Sequence, residues 1–413
     1  MKFAGYLQLL ANRSFLLLWL GQSVSSLGDA IYRIALVLLV TTLSSSPLAL
    51  MAVVGAQTGI GLLVGPLAGV LADRYPRRRL MLIAALVRLV AVLMISQAKS
   101  IWVLIPLVLV MSAAAALSLP ARQALIPDLV GEKAYLSAAS LSETTESVVG
   151  LVGPLLGGVL VSQMGLGAAF LMDAASFVLS AGVLLLLGRS MSEKARVAAD
   201  TMSRVSLGHQ FREGIKVVAG NSRVVFLLAV LLPVMVALGA LNVLQADYVN
   251  NQLGASPRQY GLVESSMFAG SLLLTLITGL LAQRLNKGKL LISSVGLIGV
   301  ATAVFLWEPN LPIVYCWAFC LGASDGLLTL PFYGILVEEI PAEARGRAMS
   351  GFMAMMRVGL LLGLGLAGLA AARLGSGRVI GLAGLLVLAI SLMARLHPQY
   401  AALCAATAAV SDN

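Results

Sequence analysis

Charge is scarce in this chain, and so is histidine. Of 413 residues, 11% are charged and two are histidines, whereas an ordinary soluble domain is about 25% charged. Hydrophobic residues make up 59% of the chain, and the mean hydropathy is +0.96. So few charges exclude an ordinary soluble protein of this length, and the composition predicts an integral membrane protein.

Cysteines are also few, and a nucleotide-binding motif is lacking. Cys316 and Cys320 lie in an apolar run and Cys404 near the C-terminus, an arrangement that makes neither a disulfide framework nor a metal site. No G-x-x-x-x-G-K-[ST] sequence is present, which argues against nucleotide hydrolysis as an energy source. No nucleophile and base stand out, and His209 lies in a polar stretch. We expect no cofactor, no metal and no enzymatic activity.

Long apolar runs are abundant instead. A helix crosses the hydrocarbon core of a bilayer with about 20 apolar residues, and these runs are continuously apolar, unlike the alternating strands of a membrane barrel. We therefore predict an all-α integral membrane protein with twelve transmembrane spans, at 14–40, 47–72, 80–97, 101–120, 138–162, 168–188, 223–248, 259–282, 290–307, 312–336, 347–371 and 378–395.

The positive charges predict the orientation of these spans. Of the 28 lysines and arginines, 21 lie in the tails and in the loops after even-numbered spans, and short loops rich in such residues stay on the cytoplasmic side. We predict that both termini are cytoplasmic. Anionic lipid headgroups account for this basic face, so the net charge of +10 gives no reason to expect a nucleic-acid partner.

An internal repeat divides the chain. The sequence GVLADRYPRRRL at 69–80 returns 210 residues later as GLLAQRLNKGKL at 279–290, which places the end of the second span on the end of the eighth. Repeated halves are typical of secondary transporters. We predict two pseudo-symmetric six-helix bundles, with domain boundaries at 1–188 (first bundle), 189–222 (cytoplasmic linker), 223–395 (second bundle) and 396–413 (cytoplasmic tail).

The linker contains one amphipathic segment. Apolar residues recur at helical spacing, at Leu207, Phe211, Ile215 and Val218, and a helix of this kind lies along a membrane surface. Its simplest predicted role is to tether the two bundles.

Acidic residues inside apolar spans are the candidates for function, because burying a charge in a bilayer is costly. Buried carboxylates can bind and release protons as solvent access alternates. We predict four proton-coupling candidates, which are Asp29, Glu146, Glu264 and Asp325.

Each candidate has a structural alternative. Asp29 can form a static pair with Arg33, one turn later on the same helix face, and Asp325 can line a water-filled cavity without titrating. Asp173 and Asp247 lie near predicted outer boundaries, where we expect them to be solvated.

Three arginines also fall inside spans and supply counter-charges for these acids or for an anionic substrate group. They are Arg33, Arg88 and Arg357. Polar residues near the middle of the spans are candidates for lining a substrate cavity. They are Gln22, Ser25, Asn242 and Gln245.

The loop after the second span resembles the signature of the major facilitator superfamily, G-x-L-A-D-R-x-G-R-[RK]. The resemblance implies a gating motif formed by Gly69, Asp73, Arg74, Arg77 and Arg78. Pro76 replaces the usual glycine. Gly69 should allow a neighbouring helix to approach closely, and the Asp73 and Arg74 charges imply a latch that closes the cytoplasmic side.

The fifth span resembles the antiporter motif of the same superfamily, G-P-x-x-G-G. Its positions are Gly153, Pro154, Gly157 and Gly158. Pro154 should bend the helix, because it cannot donate to the carbonyl of Gly150. The stretches NRSFLLLWLGQSVSSLGDAIYRIAL, LPARQALIPDLV after the fourth span and AAFLMDAASFVLSA resemble the branch that contains macrolide-efflux and enterobactin-export proteins.

This resemblance implies a monomeric secondary transporter of a bacterial inner membrane that exports amphipathic small molecules by alternating access and proton antiport. Its implied partners are the substrate, protons and membrane lipids. Two alternatives stay open, a lipid or lysophospholipid flippase and a ligand sensor that does not transport.

Overall fold

A computed structural model describes residues 9–187, 218–281, 286–340 and 342–411, and the chain within these ranges is helical apart from short connections. The helices are α1 (Arg13–Leu43), α2 (Pro47–Arg74), α3 (Arg77–Ile95), α4 (Ile101–Val130), α5 (Glu132–Leu186), α6 (Ser222–Asp247), α7 (Pro257–Leu281), α8 (Lys287–Ala303), α9 (Leu311–Glu339), α10 (Ala342–Leu374), α11 (Ser376–Leu396) and α12 (Pro398–Ser411).

Ten helical segments in the described ranges are long and apolar enough to cross a membrane. The described part of the protein is therefore all-helical and crosses the membrane many times. α3 is not among these segments, since four arginines fall within its 19 residues. α5 has 55 residues, and a helix of that length would extend roughly 80 Å, over twice the thickness of a hydrocarbon core.

A break at Gly165 explains the length of α5. Its φ of 81° and ψ of 173° are not helical, and glycine adopts a positive φ at no steric cost. The break falls between the two runs predicted at 138–162 and 168–188, so each arm of α5 matches one predicted span. The total of twelve spans and the cytoplasmic termini stay predictions.

The described residues form two compact units. Unit 1 contains 9–45, 52–187 and 256–265, and unit 2 contains 46–51, 218–255 and most of the chain from 266 onward. Two short segments, 46–51 and 256–265, thus group apart from their neighbours in sequence. The predicted domain boundaries stay a prediction.

An asparagine begins the first helix of each half in the same way. The Asn12 side chain accepts hydrogen bonds from two backbone amides at the start of α1, and Asn221 does the same for α6. This satisfies donors that a helix N-terminus leaves free. Asn12 Nδ2 also donates to the Leu129 carbonyl at 2.9 Å, while Asn221 Nδ2 donates to the Glu339 carbonyl at 3.0 Å.

An ion pair lies beside each of these asparagines. Arg77 Nη1 lies 2.5 Å from Asp128 Oδ2 in unit 1, and Lys287 pairs with Glu338 in unit 2. Both members of the second pair follow their counterparts by 210 residues, the spacing of the sequence repeat. We call the set Asn12, Arg77 and Asp128 the first clamp, and the set Asn221, Lys287 and Glu338 the second clamp.

Several local expectations differ from the structure. The segment LPARQALIPDLV at 119–130, expected to follow the fourth span, lies inside α4. The expected tail contains α12. Leu207, Phe211 and Ile215 of the predicted linker helix lie outside the described residues, and Val218 is buried.

Candidate functional site

An open cavity lies in unit 1 between α1, α4 and the first arm of α5, and the space between its walls, open solvent included, is about 350 Å³. Phe15, Leu18, Trp19 and Ile126 form its apolar wall, and its polar wall includes Gln22, Ser23, Arg122, Ser142, Thr145 and Glu146. A mostly apolar cavity with a few convergent polar groups is the usual form of a small-molecule site.

An ion pair is the charged element of this cavity. Arg122 Nη1 lies 2.9 Å from Glu146 Oε1, and the Ser26 hydroxyl donates to the same oxygen at 2.8 Å. The two side chains are 23% and 39% exposed, so a small molecule can reach both charges. A guanidinium and a carboxylate in an apolar wall can recognise either sign of charge on an amphipathic molecule.

Hydrogen bonds fix the other polar side chains at this site. Trp19 Nε1 donates to Thr145 Oγ1 at 3.1 Å, and Gln22 Nε2 donates to Ser180 Oγ at 3.4 Å. Of the predicted cavity residues, Gln22 thus lies at the cavity, while Ser25 is buried on the same helix.

Sequence reasoning missed Arg122 because it placed the arginine in a loop. The signal was available, since Ala121, Leu125 and Leu129 continue the apolar helical spacing past Pro120 and are buried. A helix interrupted by proline inside a bundle can continue where neighbouring helices support it.

A second cluster of charges lies in unit 1, and we call it the aspartate cluster. It contains Asp29 and Tyr32 of α1, Arg88 of α3, and Asp173 and Phe177 of α5. The Arg88 guanidinium donates to Asp29 Oδ1 and lies over the Phe177 ring, 4.3 Å from its centroid. The static pair considered for Asp29 and Arg33 is therefore not the arrangement in this structure.

Asp173 is the deepest member of this cluster. The residue is 0% exposed, Ser176 Oγ lies 3.4 Å from its Oδ1, and its Oδ2 has no hydrogen-bond partner among the described residues. The expectation that Asp173 is solvated is wrong. The same expectation is wrong for Asp247, which is 4% exposed and accepts hydrogen bonds from Ser376 and Asn251.

Glu264 lies in a third cluster of unit 1. The Tyr260 hydroxyl donates to its carboxylate, and the charge of Arg33 acts on both residues. Tyr260 is buried, whereas the Arg33 side chain is exposed.

Unit 2 contains the remaining candidates, which do not converge on one site. Asp325 is exposed on α9 and accepts a hydrogen bond from Ser271 Oγ at 3.0 Å. Arg357 and Asn242 are exposed on other helices, and Gln245 is buried.

The predicted gating motif is only partly described. Arg77 belongs to the first clamp, and Arg78 donates to the carbonyls of Leu184 and Leu185 at the end of α5, where cations are favoured by the helix dipole. Arg74 is exposed, and the Asp73 side chain lies outside the described residues. A Cβ on Gly69 would meet no described atom within 4 Å, so the close approach there stays a prediction.

The antiporter-motif glycines lie at close helix crossings in unit 1. A Cβ on Gly153 would collide with Ala30 of α1, and one on Gly157 would lie 3.2 Å from the Ile31 Cα. A Cβ on Gly158 would lie 2.5 Å from the Pro257 carbonyl oxygen, and Gly261 faces the Pro154 carbonyl. Absence of side chains is what allows α1 and α7 to approach α5 so closely.

Many membrane-crossing helices, repeated clamps and an ion pair in an apolar cavity define a multi-pass membrane transporter. A family model described as transmembrane secretion effector matches residues 4–409. The chain belongs to this family, which is a branch of the major facilitator superfamily of transporters.

Relatives of this chain include efflux and export proteins. It is 27% identical over 394 residues to the uncharacterized transporter YfiS of Bacillus subtilis, covering 92% of each chain. It is 25% identical over 397 residues to macrolide efflux protein A of Streptococcus pyogenes, covering 92% of this chain and 94% of the relative. It is 26% identical over 328 residues to the enterobactin exporter EntS of Salmonella typhi, covering 76% and 74%.

Solved structures share the fold at lower identity. A bacterial homologue of the iron transporter ferroportin, in an inward-facing state, superposes with a TM-score of 0.70 at 15% identity, covering 95% of this chain and 98% of that one. A peptide transporter gives a TM-score of 0.72 at 14% identity, covering 94% and 95%. At these identities the similarity establishes the fold alone.

Proposed function

We propose that this protein exports amphipathic small molecules across a bacterial inner membrane by alternating access, in exchange for protons. The cavity of unit 1 carries the proposal, because it combines an apolar wall containing Trp19 with the accessible ion pair of Arg122 and Glu146. Efflux of macrolides and export of enterobactin by relatives support export as the direction.

The chemistry of the cavity favours cargo with both an apolar body and a polar group. Burial of apolar cargo surface contributes about 25 cal/mol per Å² to the binding free energy. Glu146 or Arg122 orients an opposite charge on the cargo.

Proton exchange is the proposed energy source. The described spans contain acids at costly positions, and Asp29, Glu146, Glu264 and Asp325 remain the candidates for carrying the proton. The Asp73 and Arg74 latch is likewise proposed to close the cytoplasmic side during the cycle, with the protein working as a monomer.

The proposal is tested in membrane vesicles with an imposed pH gradient. The compounds are erythromycin, tetraphenylphosphonium, enterobactin and lysophosphatidylcholine, each followed in wild type and in Glu146→Gln. We expect gradient-dependent transport of at least one of the first three compounds. The variant should lower it by about tenfold or more, because Arg122 then lacks its charged partner in an apolar wall.

Glu143→Gln is the matched control, since Glu143 is exposed one turn earlier on the same helix and should transport like wild type. Transport of lysophosphatidylcholine alone would replace the proposal with a lipid flippase. Binding of a compound without transport of any would instead indicate a ligand sensor.

A further inference from the structure

Two carboxylates and one guanidinium lie together in the aspartate cluster. We propose that Asp29 and Asp173 share a single exchangeable proton, with Arg88 neutralising whichever of the two is ionised, and that this is the proton-binding site of the transport cycle. The second half of this inference rests on the proposed function, whereas the first half does not.

Close contact between α1 and α5 brings the carboxylates together. A Cβ on Gly28 would lie 2.5 Å from Ser176 Oγ and 2.6 Å from Asp173 Oδ1. Asp173 therefore packs against the backbone position next to Asp29, and both carboxylates interact electrostatically with each other and with Arg88.

The charge balance of the cluster requires a proton. Arg88 already forms an ion pair with Asp29, so an ionised Asp173 would give the cluster a net negative charge at a position with no exposure to solvent. An uncompensated buried charge is far more costly than a neutral carboxylic acid. One proton on the pair makes the whole cluster neutral.

The groups that act on Asp173 come from α1, from α3 and from its own helix. Asp29 and Tyr32 face it from α1, Arg88 faces it from α3, and Ser176 faces it from its own helix. Arg88 is the cation of this set, so Asp29 and Asp173 compete for the same positively charged partner.

Unused hydrogen-bonding groups allow Arg88 to change partner. Asp173 Oδ2, Arg88 Nε and the Tyr32 hydroxyl are all buried without a partner among the described residues, although buried polar groups are nearly always paired. The Phe177 ring holds the flat guanidinium by a cation–π contact. Arg88 can therefore turn from Asp29 to Asp173 once the proton moves to Asp29.

Exposure gives the two carboxylates different roles. The Asp29 side chain is 35% exposed, whereas Asp173 is fully buried, so Asp29 exchanges the proton with water and Asp173 stores it. In one state Asp173 holds the proton and Arg88 pairs with Asp29. In the other state Asp29 holds the proton and Arg88 pairs with Asp173.

Infrared spectroscopy of the full-length protein in lipid tests the shared proton without any transported compound. The carbonyl stretch of a protonated carboxylic acid is recorded as the pH is raised, and wild type should show a band that disappears. Asp173→Asn and Asp29→Asn should both lack this band, since Arg88 keeps the single remaining carboxylate ionised. Arg88→Gln should roughly double it, because each carboxylate then needs its own proton.

Asp128→Asn is the matched control. Asp128 is paired with Arg77 and is 36% exposed, so its replacement should leave the band unchanged. If Asp29→Asn kept the full band while Asp173→Asn lost it, Asp173 would be a permanently neutral structural residue and the shared site would be refuted. The two isosteric variants decide this even if Arg88→Gln does not fold.

The coupling role has its own readout in the vesicle assay with erythromycin, tetraphenylphosphonium and enterobactin. Asp173→Asn should abolish the dependence of export on the pH gradient, and gradient-driven export at the wild-type rate would overturn the role. The expected infrared result together with no export of any compound would refute the proposed function and leave the proton site standing.

Discussion

Gly28 is the residue on which the geometry of the aspartate cluster depends. A methyl group there would overlap the side chains of Ser176 and Asp173, and overpacking of this kind costs about 1–3 kcal/mol. We expect Gly28→Ala to lower the melting temperature of the purified protein and to weaken transport.

Gly182→Ala is the comparison for this change, since a Cβ at Gly182 meets no described atom within 4 Å. Alanine is favoured over glycine inside a helix by about 1 kcal/mol, so this variant should be as stable as wild type or slightly more stable. Equal melting temperatures for Gly28→Ala and wild type would argue against the close contact of α1 and α5.

Single residues are also where sequence reasoning was least complete. It identified Asp29, Arg88 and Glu146 as charges inside the membrane, because their cost depends only on the apolar sequence around them. The sequence does not show which of these charges pair with each other. Asp173 was predicted to be solvated because it lies near the end of an apolar run. Distance along a span does not reveal which side of a helix faces the protein interior.

At the scale of elements, the crossing of α5 and α7 depends on two facing glycines. Gly158 and Gly261 each lie against the backbone of the other helix. We expect Gly158→Ala and Gly261→Ala each to lower the free energy of unfolding by about 1–3 kcal/mol. Each variant should also reduce export several-fold.

A double-mutant cycle makes this prediction sharper. Both substitutions separate the same two helices. The double variant should therefore lose less free energy of unfolding than the two single variants lose together. Gly167→Ala serves as the control on α5, since its Cβ meets no described atom within 4 Å. Full additivity would mean that the two glycines do not share one contact.

Helix positions were largely predictable, and their ends were less so. The run at 14–40 corresponds to α1 (Arg13–Leu43), and the run at 312–336 corresponds to α9 (Leu311–Glu339). Capping by Asn12 and Asn310 explains why these helices start where they do. α4 continues to Val130, ten residues past its predicted end at 120, because Pro120, Arg122 and Gln123 interrupt the apolar run that was used to count spans.

At the scale of the whole molecule, the predicted topology requires that each arm of α5 crosses the membrane. Alkaline phosphatase fused to a truncated chain is active only outside the cytoplasm. Fusions after Ser45 and Gly165 should be active, and fusions after Tyr75 and Gly131 should be inactive, because lysine and arginine cluster on the cytoplasmic side.

The pair of fusions at Gly131 and Gly165 tests the first arm of α5. Opposite activities would mean that the first arm of α5 crosses the membrane, as twelve spans require. Equal activities would mean that it does not, and the predicted topology would need one crossing fewer.

The two clamps suggest how the molecule arose. A duplicated gene starts with every contact present twice, and contacts found at corresponding positions in both halves are those that both halves kept. The charged residues of the two clamps correspond at the 210-residue offset and their asparagines at 209, whereas Arg88 and Arg122 correspond to Ile298 and Phe332 at the 210-residue offset. The repeat thus separates an architecture present in both halves from the clusters around Arg88 and Arg122, whose arginines the second half lacks at the corresponding positions.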